Sequence, residues 1–302
     1  MCPIDAAGAG LRPPARALGS RAMSHLCVLG TDRLARALAD RAGLPRPAAA
    51  PDDVPAGARA VILSAETHAD RLSPTVRRLM ARGLNVVAAC EQMAWPWLNH
   101  PHLSDVLNNE AMRAKVAVVG VGPLAYETLA LSACNTVGRL RSLRWAARLG
   151  APHLREPVWQ RLAIGTPVEK WKALRRAATA DFVGVGEVVT LLAQGLGHHP
   201  LRSQVTVDLA PQVEDGRVIA VRAVGRYADD HLAVECDCLA GGDADGAVEV
   251  TLEGETTTRL SLAASAGLDA VAARLLNVAA VIDALPPGLH TTLSLPLAAA
   301  VR

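Results

Sequence analysis

The alternation of short apolar runs with amphipathic stretches over residues 25–120 constrains the fold of this chain more than any other feature. The apolar runs have the length and composition of buried strands and lie at residues 25–29, 59–64, 84–90 and 115–120. The stretches between them have helical periodicity and lie at residues 33–42, 68–83 and 102–114. Strands that alternate with helices predict βαβ units and a parallel sheet.

The pattern changes after Leu124. A strand at residues 140–150 precedes two helices, at 166–179 and at 186–197. Thr166 is predicted as the N-cap of the first of these helices and Pro167 as its first position. Strands of alternating polarity follow at residues 203–209, 217–227, 231–239, 247–254 and 257–263. A last helix at residues 268–285 ends before Pro286.

The strand at residues 231–239 shows what these alternating segments imply. One of its faces is apolar and consists of Leu232, Val234, Cys236 and Cys238. Such alternation predicts an antiparallel sheet with one buried face. The fold class is therefore α/β: a shortened, Rossmann-like parallel-sheet domain, followed by an α+β domain with a large mixed or antiparallel sheet.

The domain boundaries follow from these changes of pattern. Residues 1–22 are predicted as a disordered leader, 23–123 as the Rossmann-like domain, 124–285 as the α+β substrate and dimerisation domain, and 286–302 as a tail that returns to the first domain.

The composition of the 302 residues excludes several classes of protein. The net charge is +2 without a long basic run, so we expect neither a nucleic acid nor a membrane partner. No apolar stretch approaches the roughly 20 residues of a membrane span, and the first residues lack the apolar segment of a secretory signal. The six cysteines are scattered without CxxC spacing, which predicts a reduced, cytoplasmic protein and no metal site.

The segment LCVLGTDRLARALADRAG, residues 26–43, has the form of a strand, a tight turn and a helix. A dinucleotide-binding turn carries G-x-G-x-x-G, so that the chain can turn, admit a pyrophosphate and pack helix against strand. Here Gly30 stands at the first glycine position, Asp32 at the second and Ala35 at the third. Gly30, Asp32 and Arg33 are therefore the candidate cofactor residues of a degenerate site.

A second strand that ends in a ribose-binding acid is also missing. A Pro- and Ala-rich stretch from Gly43 to Ala58 takes its place, in which Asp52 and Asp53 are predicted to cap a short turn.

Three stretches carry a family resemblance. In GLNVVAACEQMAWPW, residues 83–97, the matching positions are Gly83, Leu84, Asn85, Cys90, Glu91, Ala94, Pro96 and Trp97. The others are VVGVGPLAYETLAL at residues 118–131 and LLNVAAVIDALPPGL at residues 275–289, which keeps Asn277. Over residues 24–295 the chain resembles the 2,4-diaminopentanoate dehydrogenases and native amine dehydrogenases, which are similar to dihydrodipicolinate reductase.

The resemblance implies NAD(P)H-dependent reductive amination, or its reverse, in a cleft between two domains, with Glu91 handling the amine. The chain departs from the family where Gln92 replaces a carboxylate, where Phe182 and Ala266 replace histidines, and where Leu268 replaces an aspartate. Polar positions that face the substrate in the family have thus become apolar.

The candidate catalytic residues are Glu91, Glu127 and Tyr126. Glu91 follows an apolar strand, where a carboxyl tends to have a raised pKa; the alternative is an exposed carboxylate at a strand end. Glu127 and Tyr126 begin a helix that faces the cleft in the family fold, although a glutamate there also suits the helix dipole. The candidate substrate pocket consists of Trp95, Trp145, Phe182 and Asn277.

Three functions follow from these residues. The first is a family descendant that has lost nicotinamide, with no cofactor, and uses Glu91 for acid/base chemistry (cyclisation, isomerisation or elimination) on a rather apolar small molecule. The second is an oxidoreductase that still uses NAD(P)H through an atypical loop. The third is a non-catalytic partner protein. In each case we expect a homodimer through the open face of the C-terminal sheet, where relatives dimerise and where a half-apolar sheet needs covering.

Overall fold

The computed structural model describes residues 25–122, 127–242, 245–262 and 267–295. These residues form two sheets, each with helices packed on it, and the candidate site lies where the two halves meet. None of the helices in these ranges is long and apolar enough to cross a membrane.

The first sheet is parallel throughout, as the alternating pattern predicts. Its strands, in spatial order, are β1 (Leu26–Leu29), β2 (Ala60–Leu63), β3 (Asn85–Ala89), β4 (Ala117–Val121) and β11 (Gly288–Thr291). All residues of β2 and β4 are buried, because helices cover both faces of the sheet.

Four helices cover this sheet. They are α1 (Arg33–Ala42), α2 (Ala69–Ala81), α3 (Pro101–Ala114) and α8 (Leu268–Val281). The apolar side chains of α1 and α8 share one core on one face, while α2 and α3 pack on the other face. The sequence places residues 268–285 in the second domain, but α8 buries Val271, Ala272 and Leu275 against the first sheet.

The first sheet ends at β1, because the chain after α1 forms no strand within residues 43–58. Ala48 alone bridges to Leu29, with hydrogen bonds from Gly30 N to Ala48 O and from Ala48 N to Val28 O. Asp53 accepts a hydrogen bond from Ala50 N and so caps the turn Pro51–Asp53 as predicted, whereas Asp52 pairs with Arg78.

The second sheet is mixed. Its strands, in spatial order, are β10 (Thr257–Leu262), β9 (Asp245–Glu253), β5 (Ser142–Leu149), β8 (Ala233–Gly241), β7 (Arg217–Ala228) and β6 (Thr206–Glu214). Of the mixed and antiparallel sheets that the sequence allows, the structure has the mixed one, because β5 inserts between β9 and β8 and pairs with β8 in parallel.

One face of the second sheet is buried under helices. They are α4 (Glu127–Cys134), α5 (Glu156–Leu162), α6 (Val168–Arg176) and α7 (Val185–Gly195). Leu232, Val234, Cys236 and Cys238 belong to this core, as the alternation predicts. The N-cap of α6 is Pro167 rather than Thr166, whose hydroxyl instead donates to the carbonyl of Ala163.

The open face of the second sheet carries charges rather than the apolar surface that the sequence argument assumed. Arg144 and Arg222 both pair with Asp237, and Arg226 pairs with Glu235. Homodimerisation through this face stays a prediction, and the exposed apolar side chains Val213 and Ile219 stand among these ion pairs.

Candidate active site

The candidate site lies at the carboxyl ends of β1, β2 and β3. Gly30, Ser64 and Glu91 come directly after these strands or one residue later, and so converge at one edge of the sheet. Ligands of open α/β sheets bind at this edge. In this chain a segment of the second half, Leu154 to Glu156, reaches into the same place.

Glu91 is almost fully buried, with 2% of its surface exposed, and begins the short turn Glu91–Ala94. Its carboxylate is held by Arg155, whose Nη2 lies 2.9 Å from Oε1 and 2.6 Å from Oε2. Arg155 precedes α5, so the pair joins the two halves of the chain. The alternative of an exposed carboxylate at a strand end is therefore wrong.

Arg155 occupies the centre of the site. Its side chain is 1% exposed, and its Nη1 lies 3.2 Å from the hydroxyl of Ser64 and 3.5 Å from Oδ2 of Asp32. Its Nη2 also donates to the carbonyl of Glu66. One buried cation thus faces the two carboxylates of Asp32 and Glu91.

Glu91 and Arg155 each change the other's pKa. Burial raises the pKa of the Glu91 carboxyl, and the guanidinium of Arg155 opposes that rise. Burial lowers the pKa of Arg155, but the carboxylates of Glu91 and Asp32, with a smaller contribution from Cys90, raise it, and the net pKa is raised. With Arg155 against both of its oxygens, Glu91 binds a cation and is not free to act as a base.

Asp32, at the second glycine position of the turn, is the N-cap of α1. Its Oδ1 accepts a hydrogen bond from Ala35 N at 2.8 Å, and its Oδ2 accepts one from the Ser64 hydroxyl at 2.8 Å. The side chain is nearly buried and fills the space that a second glycine would leave open. Gly30 keeps its role, because a Cβ there would lie 2.0 Å from the carbonyl oxygen of Ser64.

Glu156 places a second carboxylate at the same helix end. Its Oε2 accepts a hydrogen bond from Arg33 N at 2.9 Å, and its Oε1 lies 2.9 Å from Nε of Arg33. The Arg33 side chain also donates to the carbonyl of Leu154 and so turns towards the second half of the chain. A helix N-terminus is where a nucleotide phosphate binds, and here an internal carboxylate takes that position.

The β1–α1 turn, as the structure places it, does not fit a dinucleotide. The pyrophosphate would meet the carboxylates of Asp32 and Glu156, and Arg155 fills the space beside Glu91. Residues 43–58 also provide no strand with a ribose-binding acid.

A narrow apolar pocket lies next to the Glu91–Arg155 pair. Trp145 and Phe182, both predicted as pocket residues, line it together with Leu149, Val158 and Val271. Trp145 is 1% exposed, and its indole N–H has no acceptor among the described residues. A buried donor of this kind favours a ligand that brings its own acceptor.

The other candidate residues do not reach this pocket. Trp95 is half-buried and lies against Trp97, with ring centroids 5.6 Å apart. Asn277 lies on α8 and is not among the pocket residues. Glu127 is buried and pairs with Arg274 at 2.6 Å. Tyr126 lies outside the described residues, as do Ala266 and the predicted leader.

Sequence reasoning missed Ser64, Arg155 and Glu156. Arg155 and Glu156 stand in HLREPVW, a polar stretch before a helix, where charged residues are ordinarily exposed. Glu187 was also missed: it is buried on α7, accepts a hydrogen bond from Nδ2 of Asn99 at 2.6 Å, and burial raises its pKa to about 7. No local signal in the sequence marks any of the four.

Comparison with known proteins adds ancestry to this geometry. No family model matches the sequence. The chain is 22% identical over 271 residues to 2,4-diaminopentanoate dehydrogenase from Acetoanaerobium sticklandii, a match that covers 80% of this chain and 74% of that protein. The structure of an amine dehydrogenase from Mycobacterium smegmatis matches with a TM-score of 0.80 and 17% identity, over 92% of this chain and 97% of that one. The chain thus resembles the first of these proteins in sequence and shares the fold of the second.

A more distant structural match is biliverdin reductase from Synechocystis in complex with biliverdin and NADP+. It has a TM-score of 0.51 and 12% identity, over 86% of this chain and 90% of that one. The named relatives are dehydrogenases and reductases. The prediction that nicotinamide use has been lost receives no support from them.

Proposed function

We propose that the protein is an oxidoreductase that acts on a small amine, or on the corresponding imine, in the cleft between its two halves. The observation that carries the proposal is the Glu91–Arg155 pair: a fully buried carboxylate already stabilises a nitrogen cation beside an apolar pocket. The dehydrogenase names of the relatives support the reaction class.

Glu91 is the residue that binds the substrate nitrogen in this proposal. A protonated amine or an iminium carries the same charge as the Arg155 guanidinium, so it can replace Arg155 without leaving the carboxylate unpaired. Burial raises the pKa of Glu91, so once the substrate cation has replaced Arg155, the Glu91 carboxylate can accept a proton from the bound nitrogen and later return it.

The pocket selects the rest of the substrate. Trp145 and Phe182 present apolar surface in a space of about 20 Å³, which favours a small apolar body attached to the amine. The indole N–H of Trp145 can donate to an acceptor on that body. Nicotinamide nucleotides supply hydride chemistry in this class of enzyme when they are bound, and the assignments to Glu91, Trp145 and Phe182 concern the substrate alone.

The proposal is tested with primary amines of increasing apolar size in the presence of NAD+ or NADP+, and with the matching carbonyl compounds, ammonium and NADH or NADPH. We expect nucleotide absorbance to report turnover, and a Glu91→Gln variant to lose it. Glu110→Gln is the matched control, because Glu110 pairs with Arg77 on the surface of the same half. The absence of both turnover and thermal stabilisation by any amine would overturn the proposal.

A second candidate function is favoured by Asp32 and Glu156, which fill the turn where a nucleotide would bind. It is cofactor-independent acid/base chemistry, such as cyclisation, isomerisation or elimination, on a rather apolar molecule. Turnover without any nucleotide that is lost in Glu91→Gln would favour this candidate over the oxidoreductase.

A further inference from the structure

We propose that Glu156 is an internal competitor for a nucleotide phosphate at the N-terminus of α1, where Arg33 binds it and the neighbouring Arg155 anchors the same segment to Glu91. This inference rests on the proposed oxidoreductase function and concerns how the same site takes its nucleotide. Arg155 and Glu156, together the latch, are consecutive residues at the start of α5 that enter the turn from the other half of the chain.

The position that Glu156 occupies has the features of an anion site. The N–H of Arg33 points at its Oε2 from the first turn of α1, and the side chains of Arg33 and Arg36 lie 2.9 and 3.8 Å from its Oε1. A helix N-terminus with nearby arginines favours a phosphate for the same reasons that it favours this carboxylate. The carboxylate and a phosphate therefore exclude each other.

The two residues of the latch differ in how firmly they are held. The side chains of Glu156 and Arg33 are 34% and 43% exposed, so their ion pair is weak and a phosphate can displace Glu156 at low cost. Arg155 is buried and bound to Glu91, so it stays in place when Glu156 leaves and moves only when an amine replaces it at Glu91. Asp32 remains as a second negative charge beside the incoming phosphate.

This arrangement predicts that nucleotide affinity rises stepwise as the carboxylates of Glu156 and Asp32 are removed. Removing the Glu156 charge frees the helix end, and replacing Asp32 by glycine restores the space that the turn lacks. Glycine at an N-cap costs little helix stability, and in Asp32→Gly the buried Arg155 keeps Glu91 as its partner. Arg155 is left unchanged, because its removal would leave Glu91 buried without its cation.

The test is titration of NADH and NADPH into the wild-type protein and into Glu156→Gln, Asp32→Gly and the double variant, followed by nucleotide fluorescence. We expect weak binding by the wild type, roughly tenfold or tighter binding by Glu156→Gln, and the tightest binding by the double variant. Glu110→Gln should bind as the wild type does. Melting curves establish that every variant is folded.

The outcomes separate the latch from the proposed function. Equal affinities in the wild type and all variants would overturn the latch, and the amine assay would still decide the oxidoreductase. No binding by any folded variant would likewise overturn the latch, because the closed turn would not then be what excludes the nucleotide. If the variants bind nucleotide more tightly but neither they nor the wild type turn over any amine, the proposed function is overturned and the latch is not.

Discussion

Nη2 of Arg155 lies 2.6 Å from Oε2 of Glu91, and the bond joins residues 64 positions apart in the chain. Glu91 follows a strand of the first sheet, while Arg155 precedes a helix that packs on the second sheet. The two halves are therefore joined by a buried ion pair as well as by apolar contact. This pair makes stability and function depend on the same two side chains.

The first prediction concerns the energy of that pair. Arg155→Met should destabilise the fold by roughly 3–5 kcal/mol, because it leaves the Glu91 carboxylate buried without a cation. The double variant with Glu91→Leu should recover most of that loss, since it removes the unpaired charge. Urea unfolding of the wild type, both single variants and the double variant measures the coupling. If the loss of unfolding free energy in the double variant equals the sum of the losses in the two single variants, the pair is not coupled.

The second prediction concerns the turn that positions Glu91. A Cβ at Gly120 in β4 would lie 1.9 Å from the carbonyl oxygen of Met93, within the turn Glu91–Ala94. Gly120→Ala should therefore displace this turn and destabilise the protein by about 3 kcal/mol or more. Gly57→Ala is the matched control, because a Cβ there meets nothing within 4 Å. Equal melting temperatures for the two variants would contradict the close approach.

The third prediction is a pH dependence from Glu187, whose pKa burial raises to about 7. Because the pKa of Glu187 is higher in the folded than in the unfolded protein, its protonated carboxyl group favours the fold at a pH below the pKa of the unfolded state. This contribution to stability is lost as the pH rises through about 7. Glu187→Gln should match the wild type near about pH 5 and be more stable, by at most roughly 3 kcal/mol, near about pH 8.

The control for Glu187 is Glu169→Gln. Glu169 is exposed and hydrogen-bonded to Lys172, which lowers its pKa, so its removal should not produce a gain at high pH. Unfolding curves across the pH range that are parallel for wild type and Glu187→Gln would show that Glu187 does not titrate in this way.

The fourth prediction concerns Asp229, which accepts hydrogen bonds from the Tyr227 hydroxyl, from His198 Nδ1 and from the backbone N–H groups of His231 and Leu232. The Tyr227 bond, above all, holds the pKa of Asp229 well below its usual range. A lowered folded pKa gives stability at neutral pH that is lost as the pH falls.

Asp229→Asn should therefore remove part of the acid-induced loss of stability that the wild type shows. The neighbouring exposed Asp230→Asn should leave the acid limb unchanged. Thermal melts at decreasing pH measure both effects. An acid limb of the same steepness in Asp229→Asn and the wild type would contradict the role of these hydrogen bonds.

Local sequence pattern was sufficient for most elements but not for their arrangement. Helix α1 begins at Arg33 and ends at Ala42 as predicted, because its apolar stripe and the following Gly43 are both visible in the sequence. The parallel pairing of β5 with β8 and the packing of α8 on the first sheet depend on contacts between distant residues. Periodicity within one segment carries no information about such contacts.

The residues of the candidate site were likewise predictable only in part. Glu91 and Asp32 could be singled out, because each stands at a position that a family motif defines. Arg155 could not be, because its burial results from charges supplied by Asp32 and Glu91 more than 60 residues away in the sequence. A charged residue in a polar stretch is ordinarily exposed, and only the assembled fold reverses that expectation.

The position of β11 has a consequence for how the protein forms during synthesis. Helix α8 and β11 complete the first sheet, yet they follow every strand of the second sheet in the chain. On the ribosome, the strands from Ser142 to Leu262 emerge while β4 still lacks its neighbour and one face of the first sheet lacks one of its two helices. We therefore expect the second half to become stable before the first, which reverses the usual N-terminal-first order.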